Sequence, residues 1–263
     1  MTTAATLTTD VEVVQLLEHP DGILEIRMNR PKARNALNSA LRQALFSAFR
    51  TFEADPTWNV AILTAEGSTF CAGGDLKEMA EGGLKVPGRD FVPQLGTNIE
   101  VTKPVISVVN GPALAGGFLI AQMCDLCIAS ESATFGISEA KWGRGAPWAV
   151  PLHWMIPQRV MLELLMTAEP VGAERAKEFG LVNAVVPDED LFDTAMTLAR
   201  KIARNAPLSV RAAKHMVRLC MELPRSQAEN AADELYETVY LSEDAQEGPA
   251  AFKAKRDPVW KGK

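Results

Sequence analysis

Two glycine turns hold the residue types best suited to chemistry in this chain: Ala72-Gly73-Gly74-Asp75 and Ala115-Gly116-Gly117. Each stands where an apolar, β-rich run gives way to a helical pattern. The first N–H groups of a helix lack intrahelical partners and carry the positive end of its dipole, and glycine lets a ligand approach them closely. Three chemistries compete for such turns. A dinucleotide fold asks for GxGxxG after the first strand and an acid about twenty residues further on, whereas GPALAGG at 111–117 follows a later strand and spaces its glycines differently. A P-loop asks for GK[ST], which neither turn has. The third is an oxyanion hole, in which one N–H from each turn holds a carbonyl oxygen as it gains charge. Tight turns demanded by packing alone are the plain alternative. The stretch GPALAGGFLIAQMCD contains no acid or base before its closing Asp125. Any proton transfer must therefore draw on another segment.

Around these turns the chain alternates strand and helix patterns. VEVVQLLEH and ILEIRMNR flank Pro20-Asp21-Gly22 and read as a β-hairpin. ALNSALRQALFSAFRTFEAD reads as an amphipathic helix capped by Asn38 or Ser39, with Leu41, Leu45, Phe46 and Phe49 on one face. VAILTAEG, PVISVVNG, DLCIAS and LVNAVVP read as short strands, and helical patterns follow both glycine turns and dominate from Gln158 onward. EGGLKVPGRDFVPQLG reads as a mobile loop, KWGRGAPWAVPLHW as irregular, and SEDAQEGPAAFKAKRDPVWKGK as a tail with no element assigned. The pattern predicts an α/β core of mostly parallel strands over residues 1–195 and a helical region over 196–263.

The chain has 263 residues, 47% of them hydrophobic and 23% charged, with a net charge of −6. Lysines and arginines are scattered rather than gathered into a stripe, which argues against nucleic acid as a partner. No apolar run reaches the ~18–20 residues of a membrane span. The start, MTTAATLTTDVEVV, lacks the charged end and apolar block of a secretory signal, so a cytoplasmic location is expected. Cys71, Cys124, Cys127 and Cys220 suit free thiols. With three histidines and no second CxxC, the Cys124/Cys127 pair reads as packed thiols rather than a zinc or redox site, and no metal site or redox cofactor is implied.

NRPKARNAL, TFCAGGDLKEM, KPVISVVNGPALAGGFLIAQMCD, ATFGISEAKWG and AKEFGLVNAVVP, in this order and at these spacings, resemble the crotonase superfamily of enoyl-CoA hydratases and isomerases. The resemblance runs over nearly the whole chain, and the tail SEDAQEGPAAFKAKRDPVWKG is similar to that of the carnitinyl-CoA dehydratase branch. It implies a crotonase-type spiral of ββα turns followed by a helical trimerisation region, with assembly as a homotrimer or a dimer of trimers. It also implies an acyl-CoA thioester substrate whose carbonyl becomes an enolate, coenzyme A entering as part of that substrate and not as a separate cofactor. By motif position the oxyanion donors are the N–H groups of Gly74 and Gly116, each worth about 3–4 kcal/mol in a transition state. Lys32, Ala33 and Arg34 match a segment that lies along coenzyme A. Ala72, Gly73, Asp75 and Leu76 match the adenine and pantetheine path. Phe252 and Lys255 match tail positions that reach the coenzyme A of a neighbouring subunit.

Hydratases resembling this chain place two glutamates beside the substrate. The first position is Leu119 here, and the second is Glu139. Adding water across a double bond asks for one group to orient the water and another to manage the α-proton. Moving a double bond from the 3,4 to the 2,3 position asks for one base that takes a proton from C2 and returns it at C4. The mitochondrial type of Δ3,Δ2-enoyl-CoA isomerase is similar at both sites, and carries an APFW stretch where this chain has Ala146-Pro147-Trp148. Isomerisation of an enoyl-CoA is thus the implied activity. The alternatives are a hydratase or dehydratase working with one glutamate, and a CoA-binding relative without catalysis. Relatives carry a GIxPGxGG segment after the second glutamate, where this chain reads GRGAPWAVPLHW. That departure leaves several roles open. Arg144 pairs with Glu139, binds a polar acyl group or faces solvent. Trp142, Trp148 and Trp154 wall the acyl pocket or make core or trimer contacts. His153, Asp75 and Glu78 are the candidates to replace the first acid, a structural histidine being the simpler reading of His153.

Overall fold

The structure, a computed structural model, describes residues 6–7, 13–82 and 86–263. In chain order its strands are β1 (Thr6–Leu7), β2 (Val14–His19), β3 (Ile23–Met28), β4 (Val60–Ala65), β5 (Val105–Val109) and β6 (Pro112–Leu114). They continue with β7 (Leu126–Ser130), β8 (Thr134–Gly136), β9 (Val171–Gly172) and β10 (Ala184–Val186). A seven-stranded sheet runs β1-β2-β3-β4-β5-β7-β10. The β1/β2 and β2/β3 pairings are antiparallel, and those from β3 to β10 are parallel. The β2–β3 hairpin closes through Pro20-Asp21-Gly22 with both Asp21 and Gly22 at positive φ, which suits the right-handed twist of the strands.

Parallel strands are covered on both faces and so read as continuous apolar runs. VAILTA in β4 and VISVV in β5 are such runs. Their side chains nevertheless part by twos. Ala61, Leu63, Val105 and Val109 face the main core with Leu41, Leu45, Phe49 and Phe52. Val60, Ile62, Ile106, Val108 and Ile128 face the opposite side, against Leu191, Ala195, Met196 and Ala199. Those four residues belong to the helix Leu191–Ala203, so the division expected between residues 195 and 196 falls inside a helix that packs on the sheet.

The first helix, α1 (Ser39–Ala54), is capped by the Asn38 side chain, which accepts from the Leu41 N–H at 3.0 Å. Its buried face is Leu41, Leu45, Ala48, Phe49 and Phe52, with Phe46 at the margin of the core rather than in it. Lys103, fully buried, donates to the Phe52 and Asp55 carbonyls and places its charge at the negative end of this helix.

A second, smaller sheet runs β6-β8-β9, and single bridges from Leu37 to Gly74 and from Cys71 to Ala113 continue its direction. The chain therefore repeats one unit: a strand in the large sheet, a short extended piece in the small one, then a helix. The helices after α1 are α2 (Leu76–Gly82), α3 (Gly116–Met123), α4 (Leu152–Met155), α5 (Gln158–Thr167), α6 (Ala173–Glu178) and α7 (Leu191–Ala203). Then come α8 (Pro207–Glu222), α9 (Arg225–Tyr240) and α10 (Glu243–Ala254).

Two expectations change. The tail holds α10, capped by Ser242 and carrying Pro249 inside it, and buried Asp244 accepts from the Lys261 and Gly262 N–H groups to fold the last residues back. The stretch expected to be irregular holds 3-10 turns at Ser138–Trp142 and Pro147–Ala149, and then α4. The loop expected to be mobile lies in part on residues 83–85, outside the described residues. Beyond them, Asn98 accepts from the Gln94 N–H and donates to the Arg89 and Val92 carbonyls, while Val92 and Leu95 enter the core. Among the described residues no helix is long and apolar enough to cross a membrane.

Candidate active site

Both glycine turns lie beyond the C-terminal ends of parallel strands, the first after β4 and the second after β5 and β6. Leu37 N–H donates to the Gly73 carbonyl at 2.8 Å, and Asp75 N–H donates to the Leu37 carbonyl at 3.4 Å. This parallel bridge occupies the groups on either side of Gly74 and turns the Gly74 N–H the other way. Gly116 is the first residue of α3, where an N–H has no intrahelical acceptor. The residue before it, Ala115, adopts φ 51° and ψ −120°, a region that costs a non-glycine residue on the order of 1–3 kcal/mol. That conformation sets the plane of the Ala115–Gly116 peptide and hence the direction of its N–H.

The turns touch. A β-carbon on Gly73, whose φ is +93°, would lie 2.8 Å from the Ala115 side chain and 3.4 Å from the Gly116 nitrogen. One on Gly117 would meet the Cys71 carbonyl oxygen at 2.1 Å. Backbone packing explains Gly73 and Gly117; a β-carbon on Gly74 or Gly116 would crowd only side-chain ends, Met79 at 2.2 Å and Leu37 at 2.7 Å, and these two glycines lie in adjoining turns.

Glu139 sits on the 3-10 turn Ser138–Trp142, which ends at Gly143 in the left-handed region. Its Oε1 accepts from the indole Nε1 of Trp148 at 2.8 Å. Its Oε2 is buried and has no hydrogen-bond partner among the described residues. Desolvation pushes the carboxyl above its usual range, opposed by the Trp148 bond, a backbone hydrogen bond and the charge of Arg144. Arg144 makes no salt bridge to Glu139. Its contact there is the backbone N–H donated to the Glu139 carbonyl at 3.0 Å. Leu119, on the second turn of α3, is 4% exposed and packs in the main core.

Asp75 and Glu78, two of the candidates for a first acid, are bonded elsewhere. Asp75 caps α2 through the Lys77 and Glu78 N–H groups and meets Arg30 at 3.3 Å. Burial pushes its carboxyl up, but the Glu78 and Arg30 hydrogen bonds outweigh that and hold it below the usual range. Glu78 accepts from the Ser39 N–H and hydroxyl and from Arg42. His153 is exposed and stands edge-on to Trp154, at 5.6 Å and 80°. Trp142 and Trp154 are more than half exposed.

Lys32 and Arg34 lie exposed beside the first turn, since the Ala72 N–H donates to the Arg34 carbonyl at 3.0 Å. Ala33 ends the 3-10 turn Pro31–Ala33, and Leu76 is 53% exposed at the start of α2. Phe252 and Lys255 stand apart at the C-terminal end of α10, both exposed. A cavity of about 670 Å³ between residues 96–102 and the helices α8 and α9 includes none of the predicted site residues. Cys71, Cys124 and Cys127 are buried free thiols, and burial pushes Cys71 and Cys127 up to about 12. Among the described residues no cluster of three or more His, Cys, Asp or Glu side chains can hold a metal ion.

The family model described as enoyl-CoA hydratase/isomerase matches residues 18–263. The chain belongs to the enoyl-CoA hydratase/isomerase family, within the crotonase superfamily. It is 40% identical over 252 residues to a carnitinyl-CoA dehydratase of Salmonella paratyphi A, covering 92% of this chain and 95% of that protein. It is also 40% identical over 255 residues to the enoyl-CoA hydratase EchA19 of Mycobacterium tuberculosis, covering 92% and 94%. The crystal structure of an enoyl-CoA hydratase from Mycobacterium tuberculosis superposes with a TM-score of 0.88 at 38% identity, covering 96% of this chain and all of that one. The repeated strand–strand–helix unit described above is therefore the crotonase spiral.

Two contacts of this family member were not legible as site features: the bond from Trp148 to Glu139, and Gln122, whose Nε2 donates to the Trp148 carbonyl at 2.9 Å. The one available signal for Gln122 was a polar residue inside the apolar run FLIAQM, one helical turn after Leu119.

Proposed function

We propose that this protein isomerises the double bond of an enoyl-CoA, converting a 3-enoyl to a 2-enoyl thioester. The observation that carries this reading is the pairing of one partnerless, buried carboxylate oxygen on Glu139 with an apolar Leu119 at the other acid position. The thioester carbonyl accepts from the Gly74 and Gly116 N–H groups. Oε2 of Glu139 takes the proton from C2, the electron pair moves into a dienolate held by the two amides, and the same proton returns at C4. Burial that raises the proton affinity of Glu139 brings it nearer to working pH, which suits a group that must both take and give. Lys32, Ala33 and Arg34, together with Ala72, Gly73, Asp75 and Leu76, line the coenzyme A path, and Trp148 flanks the acyl group. Phe252 and Lys255 reach the coenzyme A of a neighbouring copy in a homotrimer or dimer of trimers, formed through the C-terminal helical region.

The relatives named as a carnitinyl-CoA dehydratase and as enoyl-CoA hydratases support a second reading, water addition or removal managed by Glu139 and the backbone. One assay separates the two. With a 3-enoyl-CoA, isomerisation gives rising absorbance of the conjugated thioester; with a 2-enoyl-CoA, hydration gives falling absorbance. A fall with the second substrate and no rise with the first overturns the isomerase reading. Silence with both, alongside coenzyme A binding, marks a relative without catalysis.

A further inference from the structure

The side chain that holds Glu139 is itself held at three points. Trp148 lies on the 3-10 turn Pro147–Ala149 and gives its indole N–H to Oε1 of Glu139 at 2.8 Å. Its carbonyl accepts from Gln122 at 2.9 Å. Its ring meets that of Phe118 edge-on at 6.1 Å and 70°, and Phe118 meets Phe135 at 5.6 Å and 60°. Phe118 and Gln122 are four residues apart on α3, the helix that begins at Gly116. One packed chain of contacts thus runs from the second backbone donor to the carboxylate. Gln122 is 8% exposed, and its Oε1 has no hydrogen-bond partner among the described residues. The one hydrogen bond that this buried amide makes is its hold on Trp148, which gives the polar side chain on an otherwise apolar helix a structural reason.

We infer that Trp148, anchored by Gln122, is a positioning residue that ties down Oε1 of Glu139 and makes Oε2 the single oxygen that moves the proton. An indole N–H donates and cannot accept. While the bond stands, a proton on Glu139 is favoured on Oε2, because protonating Oε1 would weaken it as an acceptor. This inference rests on the proposed reaction at the same site and deepens it: removal at C2 and return at C4 pass through one atom, on one face of the substrate. Arg144, on the turn between Glu139 and Trp148, is the charged group whose field reaches this carboxylate. Lys141 on the same turn is paired with Glu169. On the packed helix α5 Glu163 is paired with Arg175, and Arg159 is exposed.

The test is Trp148→Phe, which keeps the ring contact and removes the donor. Loss of a charge-assisted bond predicts a fall in kcat of about 10–100-fold with little change in KM. The acidic limb of kcat against pH moves to higher pH, because a carboxylate that loses a donor binds its proton more tightly. Gln122→Leu shifts both quantities the same way by a smaller factor. Substrate deuterated at C2 adds a readout that simple loosening of the fold does not move: the label carried to C4 falls in Trp148→Phe as the proton gains a second site. Independently of any substrate, the infrared difference between the protein and its Glu139→Gln variant, followed through an acid titration, reports protonation of Glu139. A wild type silent toward both thioesters refutes the reaction and leaves the infrared midpoint to decide on the bond. A Trp148→Phe midpoint equal to that of the wild type overturns the inference.

Discussion

Glu25 is buried and Glu139 half-buried with one oxygen enclosed, and the fold treats them in opposite ways. Glu25, on β3, is 1% exposed and accepts from His19 at 2.9 Å, Arg27 at 2.7 Å and Thr64 at 2.6 Å. Desolvation pushes its carboxyl up, and the bonds from His19, Arg27 and Thr64 more than reverse that, leaving it below the usual range. Among the described residues one side chain, Trp148, donates to Glu139, and desolvation wins. Desolvation raises both carboxyls, so desolvation alone does not mark a site. The difference lies in the matching of lone pairs. A carboxylate with its capacity filled is part of the sheet, whereas one left with a bare buried oxygen keeps affinity for a proton from elsewhere.

Exchanging each carboxylate for an amide is the sharpest way to break the comparison. Glu139→Gln is expected to lower isomerisation by about 10²–10⁴-fold, the usual worth of a positioned acid/base, with coenzyme A binding held and no loss of stability. Glu25→Gln is expected to leave turnover per folded molecule unchanged and to lose about 2–3 kcal/mol in urea unfolding. That is less than the ~3–5 of a fully buried pair, because Arg27 and His19 remain partly in water. If Glu25→Gln lost activity at full stability, or Glu139→Gln lost stability at full activity, the assignment of roles would be reversed.

Stability against pH tests the same contrast more gently. From a common reference of 4.5, Glu25 is lowered by folding and Glu139 is raised. Glu25 therefore contributes stability above that reference, and the contribution is lost as pH falls through its folded value. Glu139 binds its proton more tightly when folded, so ionising it opposes folding, and stability falls as pH rises from the reference through its folded value. Relative to the wild type, Glu139→Gln is expected to gain stability over that upper window. The deficit of Glu25→Gln is expected to shrink only below the reference. Urea midpoints measured from acid to neutral pH decide the point; parallel curves for the two variants would contradict it.

What was legible in the sequence divides along the same line. Continuous apolar runs such as VAILTA and VISVV mark strands buried on both faces, and the glycine turns stand out because only glycine tolerates the approach of Ala115 to Gly73 and of Cys71 to Gly117. Glu139 was readable as a candidate because its motif is contiguous. Trp148 as its donor was not: nine residues and a left-handed Gly143 separate them, and the distance closes only when Phe118 and Gln122 of α3 pack behind the indole. Nor was the filled state of Glu25, since Thr64 arrives from the neighbouring strand by register. The helix α10 was missed because Gly248 and Pro249 read as a break, although Ser242 followed by Glu243 and Asp244 is a start signal. Local chemistry shows in sequence; partnership across elements needs the fold.

The smallest expected effect comes from making Glu25 a little more like Glu139. Thr64 is 7% exposed, and its hydroxyl donates to Oε1 of Glu25. Valine keeps nearly the same shape and removes that one donor, leaving Arg27 and His19 in place. The expected cost is about 1–2 kcal/mol at neutral pH, the price of one bond to a charged group partly offset by a better apolar fit. Because one lowering influence is gone, the loss of stability on acidification should also begin at higher pH than in the wild type. A Thr64→Val protein with unchanged stability and an unchanged acid limb would mean that Arg27 and His19 alone keep Glu25 ionised. The count of donors, on which the contrast with Glu139 depends, would then carry less weight than the charge beside it.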